Sequence, residues 1–233
     1  KIVFKIYKHL IFPNSILLFS SNFERNKLEN YKKYESIVLA NLLSIDESQS
    51  RIELNDKFKI LFLGRIDPIK NLDILIEAII RFNTNSEKKY ELTIAGPITD
   101  HRYFNKLKKM ADGFCIQFLE PLYGQRKNKC LDEHHFLILP SKSENFGNVV
   151  LESMARSRPV LCSSNTTWAN VEKLGCGFVF TPELEPLMEA LERASHLTRD
   201  DYDNICSGAF KFSKAFSKEN LLKEYKNFYN ELL

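Results

Sequence analysis

Hydrophobic and polar positions change rhythm along this chain. From Phe58 onward, short continuous apolar runs alternate with longer stretches in which apolar residues recur every three to four positions. Residues 58–63, 90–95, 114–118, 136–139, 159–162 and 177–180 read as strands, several of them ended by Gly or Pro. Between the first two, Leu72, Leu75, Ile76, Ile79 and Ile80 fall at helical spacing. Residues 101–111, 124–132, 149–156, 183–197, 199–213 and 217–232 also suit helices. Runs that are apolar throughout, not alternating, belong to strands covered on both faces. The expected fold is therefore α/β, a Rossmann-like parallel sheet with helices on both faces. Ligands of such sheets sit beyond the carboxyl ends of the strands. The chemistry is accordingly sought just after Leu63, Ala95, Phe118 and Leu139.

The first 50 residues are different. Residues 15–20 and 37–40 read as strands and 22–31 as a polar helix, with no obvious closed core around them. A polar break, Asp46-Glu-Ser-Gln-Ser-Arg51, follows. This divides the chain into residues 1–50 and 51–233, and 233 residues suffice for one large domain or one domain with part of another. Hydrophobic residues at 44% and charged residues at 27% imply a folded core. A net charge of +3 is too small to indicate nucleic acid, and no nucleic-acid signature is present.

The five cysteines form no CxxC pair, and four lie in or near apolar runs, as buried reduced thiols of a cytosolic protein would. The histidines, including the adjacent His134 and His135, show no metal-ligand spacing and read as structural or surface groups. No apolar run reaches the length of a membrane-spanning helix. The basic, apolar opening of residues 1–9 lacks a small-residue cleavage site. Its first residue, Lys1, suggests a piece of a longer protein.

Two clusters carry candidate chemistry. Gly64 ends a buried strand, where the missing side chain lets a ligand approach the backbone. Arg65 follows directly, and Lys70 precedes Asn71, a suitable N-cap for the helix that carries Leu72. A lysine there opposes the helix dipole unless an anion binds. Arg65 and Lys70 would then hold a diphosphate; alternatively they are two solvated cations beside a strand end. The second cluster runs from Pro140 through Ser141, Glu144, Phe146 and Gly147 to Glu152. A helix beginning near Gly147 would offer the amides of Gly147, Asn148 and Val149 to an anion. Asn148 and Glu152, four apart, share a face. Glu152 lies roughly 5–6 Å further along the axis, an offset that suits ribose hydroxyls better than phosphate. Glu144, in the preceding loop, is placed to accept hydrogen bonds from sugar hydroxyls.

Gly64-Arg65 with Lys70, followed by Glu144-Asn-Phe-Gly-Asn-Val-Val-Leu-Glu152 after Pro140-Ser141, resembles the retaining group 1 (family 4) glycosyltransferases of GT-B fold. The resemblance covers roughly residue 52 to the end. It implies that residues 51–233 form the nucleotide-sugar-binding domain. Residues 1–50 would then be the tail of the preceding acceptor domain with the crossover, a place echoed by Ser20-Ser-Asn-Phe-Glu24. It further implies that Arg65, Lys70 and Glu144 form the catalytic set, the two cations on the diphosphate and the carboxylate on the transferred sugar. Phe146, Gly147, Asn148 and Val149 would contact sugar and phosphate, Glu152 the ribose, and the loop with Leu119 and Pro121 the base. Trp168 lies in a turn resembling one seen in some members, with Thr167 in place of Pro, and reads rather as a core anchor. Asn145 and Glu120 stand where Gly is common in the family.

The implied activity is transfer of a sugar, with retention, from a nucleoside-diphosphate sugar to a glycan or lipid-linked acceptor in cell-surface polysaccharide or lipopolysaccharide synthesis. UDP-sugar is the expected donor. Neither metal nor cofactor is expected, because cations and helix dipoles neutralise the departing diphosphate. The expected place is the cytoplasm, with the basic opening either touching an anionic membrane surface or packing as a helix with solvated lysines. A non-catalytic or truncated nucleotide-sugar-binding module is the alternative.

Overall fold

The structure, a computed structural model, describes residues 15–28, 34–43, 45–50 and 52–232. The basic opening segment, residues 29–31 of the expected first helix and Arg51 lie outside them. Strands β1 (Leu17–Phe19) and β2 (Ser36–Val38) form a parallel pair, and helix α1 (Asn22–Lys27) follows β1. Ser21 caps α1 by accepting from the Glu24 amide.

The main sheet holds β3 (Lys57–Leu63), β4 (Lys89–Ala95), β5 (Ile116–Leu119), β6 (Phe136–Leu139), β7 (Val160–Ser163) and β8 (Gly177–Phe180). All pairs in it are parallel, in the order β5-β4-β3-β6-β7-β8. The chain steps outward from β3 to β5, then returns to lay β6 on the other side of β3. That reversal opens a crevice between the carboxyl ends of β3 and β6. The central stretches of β3 and β6 are apolar at consecutive positions because both faces are covered there: Ile60, Leu61, Phe62, Phe136, Leu137 and Ile138 are all buried.

The connecting helices are α2 (Leu72–Asn85), α3 (His101–Ala111), α4 (Gly124–Asp132), α5 (Asn148–Met154), α6 (Leu184–Ser195), α7 (Arg199–Ser213) and α8 (Lys218–Leu232). Helix α2 packs on α3 and α6, and α5 packs on α7. Leu72, Leu75, Ile76 and Ile79 of α2 are fully buried, as their spacing predicts. Asp100 and Thr198 cap α3 and α7 through the amides of Tyr103 and Asp201.

Two elements differ from the sequence reading. The strand expected from residue 114 begins at Ile116, because the Phe114 amide donates to the Ala111 carbonyl at 3.1 Å and keeps that segment in a turn. Phe114 is left 47% exposed. The described part of the polar break, residues 46–50, is a fastened strap. Arg158, only 2% exposed, donates to the Ser50 carbonyl at 2.9 Å, the Ser50 hydroxyl at 2.8 Å and the Asp132 carbonyl at 2.9 Å. Arg156 ties the Asp132 carboxylate to the Asp46 carbonyl, and Arg199 holds the Ile52 carbonyl.

His134 and His135 are both buried and point apart. The first contacts Thr93 Oγ1 and the Cys130 carbonyl, the second the Lys59 amide and the Glu53 carbonyl. Burial depresses both pKa values below the ordinary histidine value. Cys130, Cys162 and Cys176 are buried, Cys206 is partly buried and Cys115 is exposed.

Candidate functional site

The crevice brings together the two clusters that sequence reasoning separated by some 75 positions. After β3, Gly64 and Arg65 leave the sheet and Ile66 bridges to Ile98, so the loops beyond β3 and β4 continue side by side. Asp67 caps a short 3-10 turn, Pro68–Lys70, by accepting from the Ile69 amide at 3.0 Å. After β6, the Lys142 amide donates to the Ile69 carbonyl at 2.9 Å and lays the second loop against the first. Lys70 and Glu144 consequently meet as an ion pair across the crevice. Lys70 is 8% exposed. Arg65 is exposed, and no ion pair or side-chain hydrogen bond ties it to a described residue.

Two expectations need correction here. Asn71 does not cap α2 with its side chain; it adopts a left-handed conformation (φ 58°), and its Nδ2 donates to the Pro182 carbonyl at 3.1 Å. Lys70 does not wait unpaired at a helix start. It ends the 3-10 turn and is neutralised by Glu144, a partner that only the crossover of β6 onto β3 supplies.

The loop from Ser141 to Gly147 is held from several sides. The Asn145 carbonyl accepts from the hydroxyls of Ser21 and Thr167, each at 2.8 Å. Asn145 Nδ2 donates to Glu24 at 3.1 Å, and Trp168 Nε1 donates to the Phe146 carbonyl. Lys27 reaches the Ser143 hydroxyl at 2.6 Å, and Asn41 donates to Asn148 Oδ1 at 2.8 Å. Trp168 is 4% exposed and stacks edge-on against Phe146, so its role is that of a core anchor beneath the loop. Gly147 (φ 76°) turns the chain into α5, which starts at Asn148. Val149 lies partly buried on its first turn, and the Val150 amide is already satisfied by the Gly147 carbonyl.

Glu152, one turn further, pairs with Lys127 of α4 at 2.8 Å. Sequence reasoning missed Lys127 as a member of the site, because nothing in a surface lysine on a polar helix signals a carboxylate 25 positions away. It also missed Glu24 and Asn41. With Glu144, Gly147, Asn148 and Phe19, these line a polar pocket of about 520 Å³ between the β1–β2 pair and the main sheet. Leu119 ends β5 and is 36% exposed, with Pro121 just beyond and Tyr123 (73% exposed) at the start of α4. Among the described residues, no group of three or more His, Cys, Asp or Glu side chains is placed to hold a metal ion, and no helix is long and apolar enough to cross a membrane.

A doubly wound sheet with polar and charged groups gathered at its switch point defines a Rossmann-like α/β protein. Residues 44–209 match the family described as glycosyl transferases group 1, and the chain belongs to that family. It is 25% identical over 236 residues to an uncharacterised glycosyltransferase of Methanocaldococcus jannaschii, covering 97% of this chain and 62% of that protein. It is 27% identical over 177 residues to a D-inositol 3-phosphate glycosyltransferase of Geodermatophilus obscurus, covering 70% of this chain and 38% of that one. In fold it is similar to sucrose-phosphate synthase from Thermosynechococcus elongatus (TM-score 0.83, 17% identity, 100% of this chain and 62% of that one). It is likewise similar to HepE of Anabaena, solved in complex with UDP and glucose (TM-score 0.80, 16% identity, 93% and 63%). The chain thus spans less than two thirds of the length of these relatives.

Proposed function

We propose that the protein transfers a sugar from a nucleoside-diphosphate donor, UDP-sugar in first place, to a glycan or lipid-linked acceptor. The observation that carries this reading is the meeting of Lys70 and Glu144 at the β3–β6 switch point, inside a group 1 glycosyltransferase domain. HepE of Anabaena, similar in fold, holds UDP and glucose, which supports the same class of ligand for this crevice.

In this reading Arg65 and Lys70 bind the diphosphate and stabilise it as it leaves. Amides of the Gly147–Val149 turn, with Gly64 leaving room beside the backbone, add to that binding. Glu144 and the Phe146–Asn148 loop hold the sugar, Glu152 the ribose, and Leu119 with Pro121 the base. Residues 51–233 act as the donor domain, and 1–50 belong to the acceptor side. Transfer proceeds with retention. The acceptor hydroxyl oxygen bonds to the anomeric carbon on the face from which the C1–O bond to phosphate breaks, and its proton passes to the departing phosphate oxygen. No metal or cofactor takes part. The setting is cell-surface polysaccharide or lipopolysaccharide synthesis on the cytoplasmic side, with peripheral membrane contact.

Calorimetric titration with UDP, GDP and ADP tests the donor site. One diphosphate is expected to bind, and Arg65→Ala and Glu152→Ala each to weaken it about tenfold, or about 1.4 kcal/mol. Absence of binding by all three nucleotides to the whole protein refutes the reading. Inverted anomeric configuration in the product refutes retention.

A further inference from the structure

The two side chains assigned to opposite ends of the donor are bound to each other. Lys70 is the cation proposed for the diphosphate and Glu144 the carboxylate proposed for the sugar, and they form one ion pair. A carboxylate touching the ammonium that holds a diphosphate also stands within reach of the phosphate oxygens and repels them. The repulsion ends when Glu144 turns away, and it turns away at no loss only where new hydrogen-bond partners await it. The hydroxyls of a nucleotide-linked sugar are such partners; a bare nucleoside diphosphate has none at that position.

The surroundings permit this exchange by side-chain rotation alone. On either side of Glu144 the chain is anchored, at the Ser143 hydroxyl by Lys27 and at the Asn145 carbonyl by Ser21 and Thr167. The Lys70 amide is held by the Asp67 carbonyl at 2.9 Å, and Ile69 by the Lys142 amide. Backbones stay in place while the ends of a glutamate and a lysine, each with several rotatable bonds, change partners. Glu24 lines the same pocket but is occupied by the amide and hydroxyl of Ser20 and by Asn145, so it does not take over the place of Glu144 beside Lys70.

Resting on the donor-site reading above, we infer that Glu144 is a specificity-determining residue that favours nucleotide sugar over nucleoside diphosphate by competing for Lys70. With donor bound, Glu144 is drawn to the sugar and Lys70 to the diphosphate. Once the sugar has left, Glu144 recaptures Lys70 and loosens the product.

The test compares wild type, Glu144→Gln and Glu144→Ala in the whole protein by calorimetry, with thermal melting as the check on folding. The probes are UDP against UDP-glucose, GDP against GDP-mannose, and inorganic pyrophosphate. Both variants are expected to bind the preferred diphosphate, and pyrophosphate, about tenfold more tightly than wild type, a gain of about 1.4 kcal/mol. The matching nucleotide sugar gains less or loses, so the ratio of donor to product affinity falls. In a Lys70→Met background the gain from removing the carboxylate disappears. A diphosphate affinity that is unchanged or weaker in both variants, at wild-type melting temperature, overturns the exchange while leaving the donor site intact. Failure of wild type to bind any nucleotide overturns the donor-site reading and this inference with it.

Discussion

Replacing Gly147 by alanine tests how closely the local backbone and the site are joined. Gly147 has φ 76° and ψ 59°, left-handed values that cost an L-residue about 1 kcal/mol or more. An added Cβ would also lie 3.2 Å from each of three atoms: Leu139 Cδ2, Trp168 Nε1 and Glu144 Cγ. Leu139 and Trp168 are 2% and 4% exposed, and the indole is tied to the Phe146 carbonyl, so neither yields freely. Overpacking of this kind adds about 2 kcal/mol, for a total near 3 kcal/mol. For a chain of this size that lowers Tm by about 6–12 °C. Gly113 is the control: its φ is 79°, and a Cβ there meets nothing within 4 Å. Gly113→Ala should therefore cost only the conformational part, about 1 kcal/mol or 2–4 °C. Thermal unfolding of the two variants side by side separates packing from backbone strain. In calorimetry only Gly147→Ala should weaken diphosphate binding, by about tenfold, because only there does the strain fall on the Gly147–Val149 turn whose amides are proposed to hold the diphosphate. Equal losses of Tm in the two variants would refute the packing argument.

Lys127→Met removes the partner of Glu152, a partly exposed pair; the preference for UDP over 2′-deoxy-UDP should fall about threefold to fivefold, and an unchanged preference would dissociate the pair from ribose binding. Arg158→Met removes the buried guanidinium that fastens the Ser50 carbonyl and hydroxyl to the Asp132 carbonyl and should destabilise the chain by about 3–5 kcal/mol, read by denaturant unfolding. His134 and His135 have folded pKa values below their unfolded value of about 6.5, so the unfolded chain binds more protons as pH falls through 6.5. Stability should be intact above that pH and decline below it by up to about 1.4 kcal/mol per pH unit per histidine, and Tm measured from pH 7.5 to 5 should flatten in a His134→Gln, His135→Gln variant.

The strands were legible because a strand covered on both faces is apolar over consecutive positions, and 60–63 and 136–139 carry that mark with little to imitate it. Helix α2 was legible from its buried stripe. That the two candidate clusters share one edge was legible too, since parallel strands send their loops to one edge and the unusual residues cluster just after Leu63 and Leu139. The local conformations were harder. Asn71 reads as a helix cap from its side chain, yet the turn that sets Lys70 in the crevice requires a left-handed residue there, and Asn serves that need as well. The strap at 46–50 reads only as a polar break, because the arginines that hold it lie about a hundred residues away.

The sequence by itself thus determined the parallel α/β architecture, the edge at which the candidate residues gather and the residue types gathered there, all of which follow from periodicity and neighbours along the chain. The tertiary structure decided the partners. Lys70 with Glu144, Glu152 with Lys127, Asn41 with Asn148 and Arg158 with the Ser50 strap are each joined across 25 to 108 positions. Such contacts depend on strand order, and strand order depends on the return of β6 to the far side of β3. Local propensity carries no record of that step, because burial of the whole sheet selects it.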